Sequence, residues 1–309
     1  MPKVVRSDYS IRIVIASKPP AEASYGTVAV GDGKTGGYII PGAAVLSHEN
    51  PHHDDPTYVA YTLLVADAVC RASIRNDYSL CEANCQSASS REQIFKPNAY
   101  YLITWNQFFK SPVEFKRDFA LALCQNGLVI SNSDVHPTEL YTDYVGDGRA
   151  LRLKQISNVP EYIVEILGSL VPYCQNPYLR FFYLYQVVEY LMGIEFDVRV
   201  KEVRERFDKT TNPSIVELRE IMDKFQDATR EKTRINQALN LECPKTRIAA
   251  DALLGEVDAL EANATFAEKI YRLRNTLFHD YRQFHGKDKQ ISVLSQDFFA
   301  YLVEKKLLA

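Results

Sequence analysis

The chain is poor in cysteine, lacks any long apolar run and has no excess of positive charge. Six cysteines in 309 residues (Cys70, Cys81, Cys85, Cys124, Cys174, Cys243) are too few for a disulfide scaffold and include no C-x-x-C pair. Free structural thiols are therefore expected, and although Cys81 and Cys85 stand four apart, they lack the further ligands a zinc site needs. No uninterrupted apolar stretch approaches about 18 residues, so no membrane span is expected. The first twenty residues carry Arg6, Asp8, Arg12 and Lys18 and do not resemble a cleavable leader, which makes a cytoplasmic location the expectation. With 36 Lys+Arg against 39 Asp+Glu the net charge is -3, so no global positive field draws nucleic acid and any such contact has to be local. No internal repeat or low-complexity block is present. What remains is ordinary for a folded chain: 46% hydrophobic and 24% charged residues over a length that suits about two domains.

Two textures follow one another. Over residues 1–150, short β-rich runs alternate with Gly and Pro. Ser10 to Ile15, Tyr25 to Val30, Tyr38 to Ile40 and Tyr100 to Trp105 read as strands, while Tyr58 to Ala72 and Val113 to Gln125 have helical spacing. This half is expected to be a mixed α/β domain, with its boundary in the turn-rich stretch 133–149. Residues 151–309 read as helices: Pro160 to Val171; Asn176-Pro177 through Met192, with Gly193 as the stop; and a helix after Asn212-Pro213 carrying Ile215, Leu218, Met222 and Phe225 as a packed stripe. Further stripes are Ile248, Leu253, Val257 and Leu260; Phe266, Ile270, Leu273, Leu277, Tyr281 and Phe284; and Leu294 to Leu307. The expected architecture is an α+β two-domain chain, a mixed α/β domain followed by an all-α bundle.

Two motifs fail on context. Gly31-Asp32-Gly33-Lys34-Thr35-Gly36 is a literal G-x-G-x-x-G, but Gly37-Tyr38-Ile39-Ile40-Pro41 continues as a strand where a dinucleotide site needs a helix, and Val28 stands where a Walker A loop needs glycine. A β-hairpin turn is expected there. His48, Glu49, His52, His53, Asp54 and Asp55 gather possible metal ligands, yet Pro51 forbids the helix that would align His48 with His52. Metal-dependent hydrolysis at His48, His52 and His53 stays open only as a third reading, and no cofactor is called for.

A third motif fits its context. In Tyr271-Arg272-Leu273-Arg274-Asn275-Thr276-Leu277-Phe278-His279-Asp280-Tyr281-Arg282, a helical turn of about 100° per residue puts Leu273 and Leu277 on one face and Asn275 and His279 nearly opposite. Phe278 lies between, beside Arg274, so a large aromatic flanks polar residues on a face that a second subunit could cover.

Arg274-Asn275-x-x-x-His279 within a helical bundle resembles the HEPN family, marked by Arg, four to six residues and His, with a polar residue after the Arg. The upstream helix Asn176 to Tyr190, rich in aromatics and carrying Glu189, looks like the corresponding helix of HEPN bundles in prokaryotic defence proteins. The resemblance covers roughly residues 150–309 and leaves the N-terminal half without a family; the charged segment Asp197 to Glu242 exceeds a minimal HEPN bundle and suggests an extended helix pair. It implies a metal-independent endoribonuclease with a composite site shared by a homodimer, acting as an antiviral defence effector or toxin on an RNA substrate, with an antitoxin or defence-system partner. In that setting His279 is the general acid or base, Arg274 faces the phosphate charge, and Asn275 orients either group. Glu189 is either a partner behind these groups or structural, and Arg272 and Arg282 either guide the RNA backbone or are solvated charges. Tyr281 completes an Arg-x4-His-x-Tyr variant found in HEPN toxins, where that tyrosine can be adenylylated; its place on the apolar stripe points instead to a core residue. The alternative reading is a non-catalytic HEPN nucleotide- or RNA-binding or scaffold module, with the N-terminal half making the specific contacts.

Overall fold

The computed structural model describes residues 9–16, 24–30, 33–47, 51–70, 95–107, 112–130, 150–155, 158–210, 213–261 and 263–307. His48, the ends of the Gly31 to Gly33 segment at Gly31 and Asp32, Cys81, Cys85, Asn212 and the 133–149 stretch lie outside them. Two compact units are present, Met1–Gln175 with Val303–Ala309, and Asn176–Leu302. The architecture is a mixed α/β unit built on a six-stranded sheet and a helical C-terminal region.

The sheet contains β1 (Tyr9–Ala16), β2 (Gly26–Val30), β3 (Lys34–Pro41), β4 (Ala99–Trp105), β5 (Leu128–Ile130) and β6 (Leu151–Leu153), in the order β5-β1-β4-β3-β2-β6. All pairings are antiparallel except β2 with β6, where Val28 stands opposite Leu151. The strands do not alternate cleanly between polar and apolar because both faces of the sheet are covered. On one face Val14, Ile39, Tyr100 and Leu102 pack with Phe115, Phe119 and Leu123 of α3 (Pro112–Gln125). On the other, Ile13, Ile40, Tyr101 and Ile103 pack with Tyr58, Tyr61, Val65 and Val69 of α2 (Pro56–Cys70), which follows the short α1 (Gly42–Leu46). β2 and β3 form the expected hairpin, and Gly33 in the turn has φ of +89°.

Past residue 150 the chain still belongs to the sheet unit. α4 (Glu161–Glu165) runs on through a π-type stretch (Ile166–Leu170) into the turn Val171–Tyr173. Lys116 pairs with Glu165 at 2.7 Å, and the Tyr173 hydroxyl donates to the Ile130 carbonyl at 2.9 Å. These contacts carry the unit beyond the change in composition near residue 150.

The second unit contains α5 (Pro177–Lys209), α6 (Ile215–Thr229), α7 (Glu231–Ala238), α8 (Pro244–Gly255), α9 (Phe266–His279) and α10 (Asp288–Tyr301). Its core takes Phe181, Leu184 and Val188 from α5, Ile235 from α7, Leu253 from α8, Leu273 and Leu277 from α9, and Phe298 from α10. Asn176 caps α5 by accepting from the Tyr178 and Leu179 N–H groups at 3.0 and 3.1 Å.

Four sequence expectations are corrected here. Gly193 does not end its helix: α5 continues for 33 residues in all, its second half carrying the (i,i+4) pairs Lys201–Glu205 and Arg204–Asp208. The stripe Ile215, Leu218, Met222 and Phe225 is exposed; α6 buries Ile221 and Ala228 instead. In α8 the inward face is Thr246, Ala250, Leu253 and Leu254, leaving Ile248 exposed, and Leu260 lies beyond the helix and is also exposed. The helix of the Arg-Asn-His motif stops at His279, and Tyr281–Phe284 forms a separate 3-10 turn in which Phe284 is buried and Tyr281 half-exposed. No helix among the described residues is long and apolar enough to cross a membrane.

Candidate active site

α9 has a well-defined start. The Thr265 side chain accepts from the Glu268 N–H at 3.1 Å while Glu268 accepts from the Thr265 N–H at 2.9 Å, a reciprocal capping box. Lys232 of α7 pairs with Glu268 at 2.6 Å. That ion pair, helped by the Thr265 N–H, holds the Glu268 carboxyl below its ordinary value. Phe266, Ile270, Leu273 and Leu277 then bury one face of α9, and the buried Lys269 ammonium is held by Asp251 at 2.6 Å. With that face fixed inward, Arg274, Asn275 and His279 fall on the outer side. Arg274 and Asn275 are half-buried and His279, in the last turn, is exposed.

Arg274 has the most developed surroundings. Its guanidinium lies 5.3 Å from the ring centres of both Tyr185 and Phe278, donates to Asn275 Oδ1 at 2.8 Å, and approaches Glu189 Oε1 at 3.6 Å. Tyr185 and Glu189 are four apart on α5, hence on one face, and Gln186 donates to the other Glu189 oxygen at 3.0 Å. The arginine fork is thus aimed by two rings, an amide and a carboxylate while keeping an edge toward solvent. The Glu189 contact is partly exposed and weak, worth at most about 1 kcal/mol, so an incoming anion can replace it.

Tyr185 is the residue that motif reading misses. It is almost fully buried, its hydroxyl has no hydrogen-bond partner among the described residues, and burial pushes its phenol well above the ordinary tyrosine range despite the nearby Arg274 cation. Its spacing of four from Glu189 in the aromatic helix is the signal that could have found it. A run of rings continues the site: Phe182 meets Phe278 edge-on at 5.9 Å, and Phe278 meets His279 at 5.5 Å. No hydrogen bond or ion pair ties down the His279 ring among the described residues, so the imidazole is open to a ligand.

The remaining motif residues are not brought into this group. Arg272 donates to the Ala259 carbonyl at 2.9 Å and pairs with Glu261, committing its guanidinium to the α8–α9 connection. Arg282 is exposed on the 3-10 turn. Tyr281, expected in the core, packs edge-on against Tyr178 at 4.7 Å and stays half-exposed because α9 has ended before it.

In the first unit, His52 and His53 sit on a 3-10 turn (Pro51–Asp54) against Tyr58, with His52 also against Tyr25. Among the described residues no three His, Cys, Asp or Glu side chains gather as metal ligands. The Gly33 to Gly37 stretch is hairpin and strand, not a turn into a helix. Comparison of the chain with protein-family models, with curated proteins and with solved structures finds no match.

Proposed function

We propose that the helical unit is a HEPN-type, metal-independent endoribonuclease whose Arg274, Asn275 and His279 work at a composite site in a homodimer. The observation that carries this reading is the outward placement of the three side chains on α9, with Arg274 presented between Tyr185 and Phe278 and an open imidazole at the helix end. In the reaction, one His279 imidazole removes the proton from a ribose 2′-OH. The 2′ oxygen then bonds to phosphorus, the bond from phosphorus to the 5′ oxygen breaks, and the partner subunit's His279 protonates that 5′ oxygen. Arg274 leaves Glu189 and donates to the phosphate oxygens as their negative charge builds, and Asn275 keeps the guanidinium in orientation through their hydrogen bond. Within this proposal the chain acts as an antiviral defence effector or toxin in the cytoplasm, and its N-terminal unit senses a trigger or recruits an antitoxin or defence partner.

A second reading has one observation in its favour. Glu189 stands 3.6 Å from Arg274 as a partner that holds the guanidinium in place, as suits a bundle that binds nucleotide or RNA without cleaving it. Cleavage assays on labelled transcripts separate the two. The wild type is expected to yield 2′,3′-cyclic phosphate and 5′-OH ends, to leave DNA intact and to be insensitive to chelator. His279→Ala or Arg274→Ala is expected to lower the rate about 10²- to 10⁴-fold and to abolish toxicity on overexpression. RNA bound equally by all three proteins and cut by none would establish the binding module instead.

A further inference from the structure

The exposed stripe of α6 is where the second unit departs most from a finished surface. Phe207 near the end of α5, and Ile215, Leu218, Met222 and Phe225 of α6, are between 38% and 86% exposed. With Val200 they line one groove of about 950 Å³. The four α6 positions follow spacings of three, four and three, continued after four more by Thr229 at the groove's end. That is the 3.5-residue repeat of a seam between helices rather than the wider face of a helix lying on its own core. α6 meets its own bundle through different residues, Ile221 and Ala228, which are seven apart.

Two quantities identify the occupant. Taking about 200 Å² for a large apolar residue fully exposed, the five side chains offer on the order of 600 Å², at the top of the range for the largest patch on a monomer. A standard interface takes about 800 Å² per partner, so the stripe with its flanking charged stems is close to one complete side of a stable contact. The rim then decides between partners. It carries Arg204, which pairs with Asp208 one turn on along α5, and Arg219 and Asp223 four apart on α6, so charges of both signs border the groove. A partner of one charge sign is repelled by part of such a rim, whereas a copy of the same surface related by a two-fold axis can set Arg219 against the partner subunit's Asp223 and the reverse.

We infer that the α5–α6 arm is a self-association surface, on which a second copy of this chain lays its own α5–α6 arm to form a four-helix contact. The surface is separate from the candidate active site: Phe207 is 18 residues beyond Glu189 on α5, about 27 Å along the helix. The inference therefore stands or falls independently of the ribonuclease reading, and the α9 face stays available for its own contact.

Light scattering on the full chain at micromolar concentration tests it, with Met222→Glu and Phe225→Glu combined as the variant. The expected result is a wild-type particle containing an even number of copies and a variant with half as many, at unchanged circular dichroism because Ile221 and Ala228 are untouched. A second measurement does not depend on how the variant folds. A p-benzoylphenylalanine placed at Phe225 is expected to crosslink, on illumination, to residues 200–229 of another copy. Equal particle size for wild type and folded variant overturns the inference. So does a crosslink confined to residues 1–175 of the same chain, or no crosslink between copies.

Discussion

Arg274 gains its orientation from neighbours that have little affinity for it. Two ring faces and a partly exposed carboxylate fix the guanidinium without consuming it, which suits the exchange of one anion for another that the proposed function asks of it. Replacing Glu189 by Gln keeps the shape and removes the competing charge. Glu189→Gln is accordingly expected to tighten RNA binding several-fold at low salt, read as a lower Kd by fluorescence anisotropy; unchanged affinity would mean that Glu189 does not compete for Arg274. A different single-residue constraint acts at Gly37 in the first unit. β3 passes so close to β4 that a Cβ at Gly37 would meet the Ile103 carbonyl oxygen at 1.9 Å. Backbone cannot yield there as a flexible side chain could, so Gly37→Ala is expected to cost about 2 kcal/mol or more, measured by denaturant unfolding. The glycines of that segment thus serve a turn and a close strand crossing, a requirement that phosphate-loop matching cannot distinguish from its own.

At the scale of the element, the start of α5 was legible and its end was not. Asn176-Pro177 opens α5 as its residue types require, because a cap is a local hydrogen bond between neighbours in sequence. Gly193 reads as a stop by the same local logic, yet tertiary packing and charged pairs carry α5 past it. A Cβ at Gly193 would meet nothing within 4 Å, so Gly193→Ala is expected to stabilise the helical unit by about 0.5–1 kcal/mol, seen as a higher denaturant midpoint. The candidate site was half legible for a related reason. The Arg-Asn-His spacing lies within one helix, and Tyr185 enters only when α5 is laid beside α9. The exposed stripe of α6 marks the limit of periodicity: apolar spacing shows that a face is made for contact and not whether the contact lies within the same chain.

At the scale of the whole chain, the sheet unit and the helical unit rest on separate cores, and acid should distinguish them. The Lys232 ion pair, and after it the Thr265 N–H of the α9 capping box, hold the Glu268 carboxyl below its ordinary value. Its folded-state titration therefore lies below the unfolded one, so the stabilisation is fully present above the ordinary carboxylate range and fades as pH falls through it. Glu268→Gln, which keeps the reach to the Thr265 N–H and removes the charge facing Lys232, is expected to cost up to about 1 kcal/mol at neutral pH and little in acid, and calorimetry should show this in a transition of the helical unit. The composition change near residue 150 showed that two architectures are present but not where one core ends. The parallel β2–β6 pairing that extends the first unit joins positions more than a hundred residues apart, with only three residues in β6.

The sheet's outermost strands, β5 and β6, are both three residues long. β5 and β6 are themselves too short to template a long added strand, and the longer stretch of edge on the β5 side is the Tyr9–Ile13 half of β1, which β5 does not pair with.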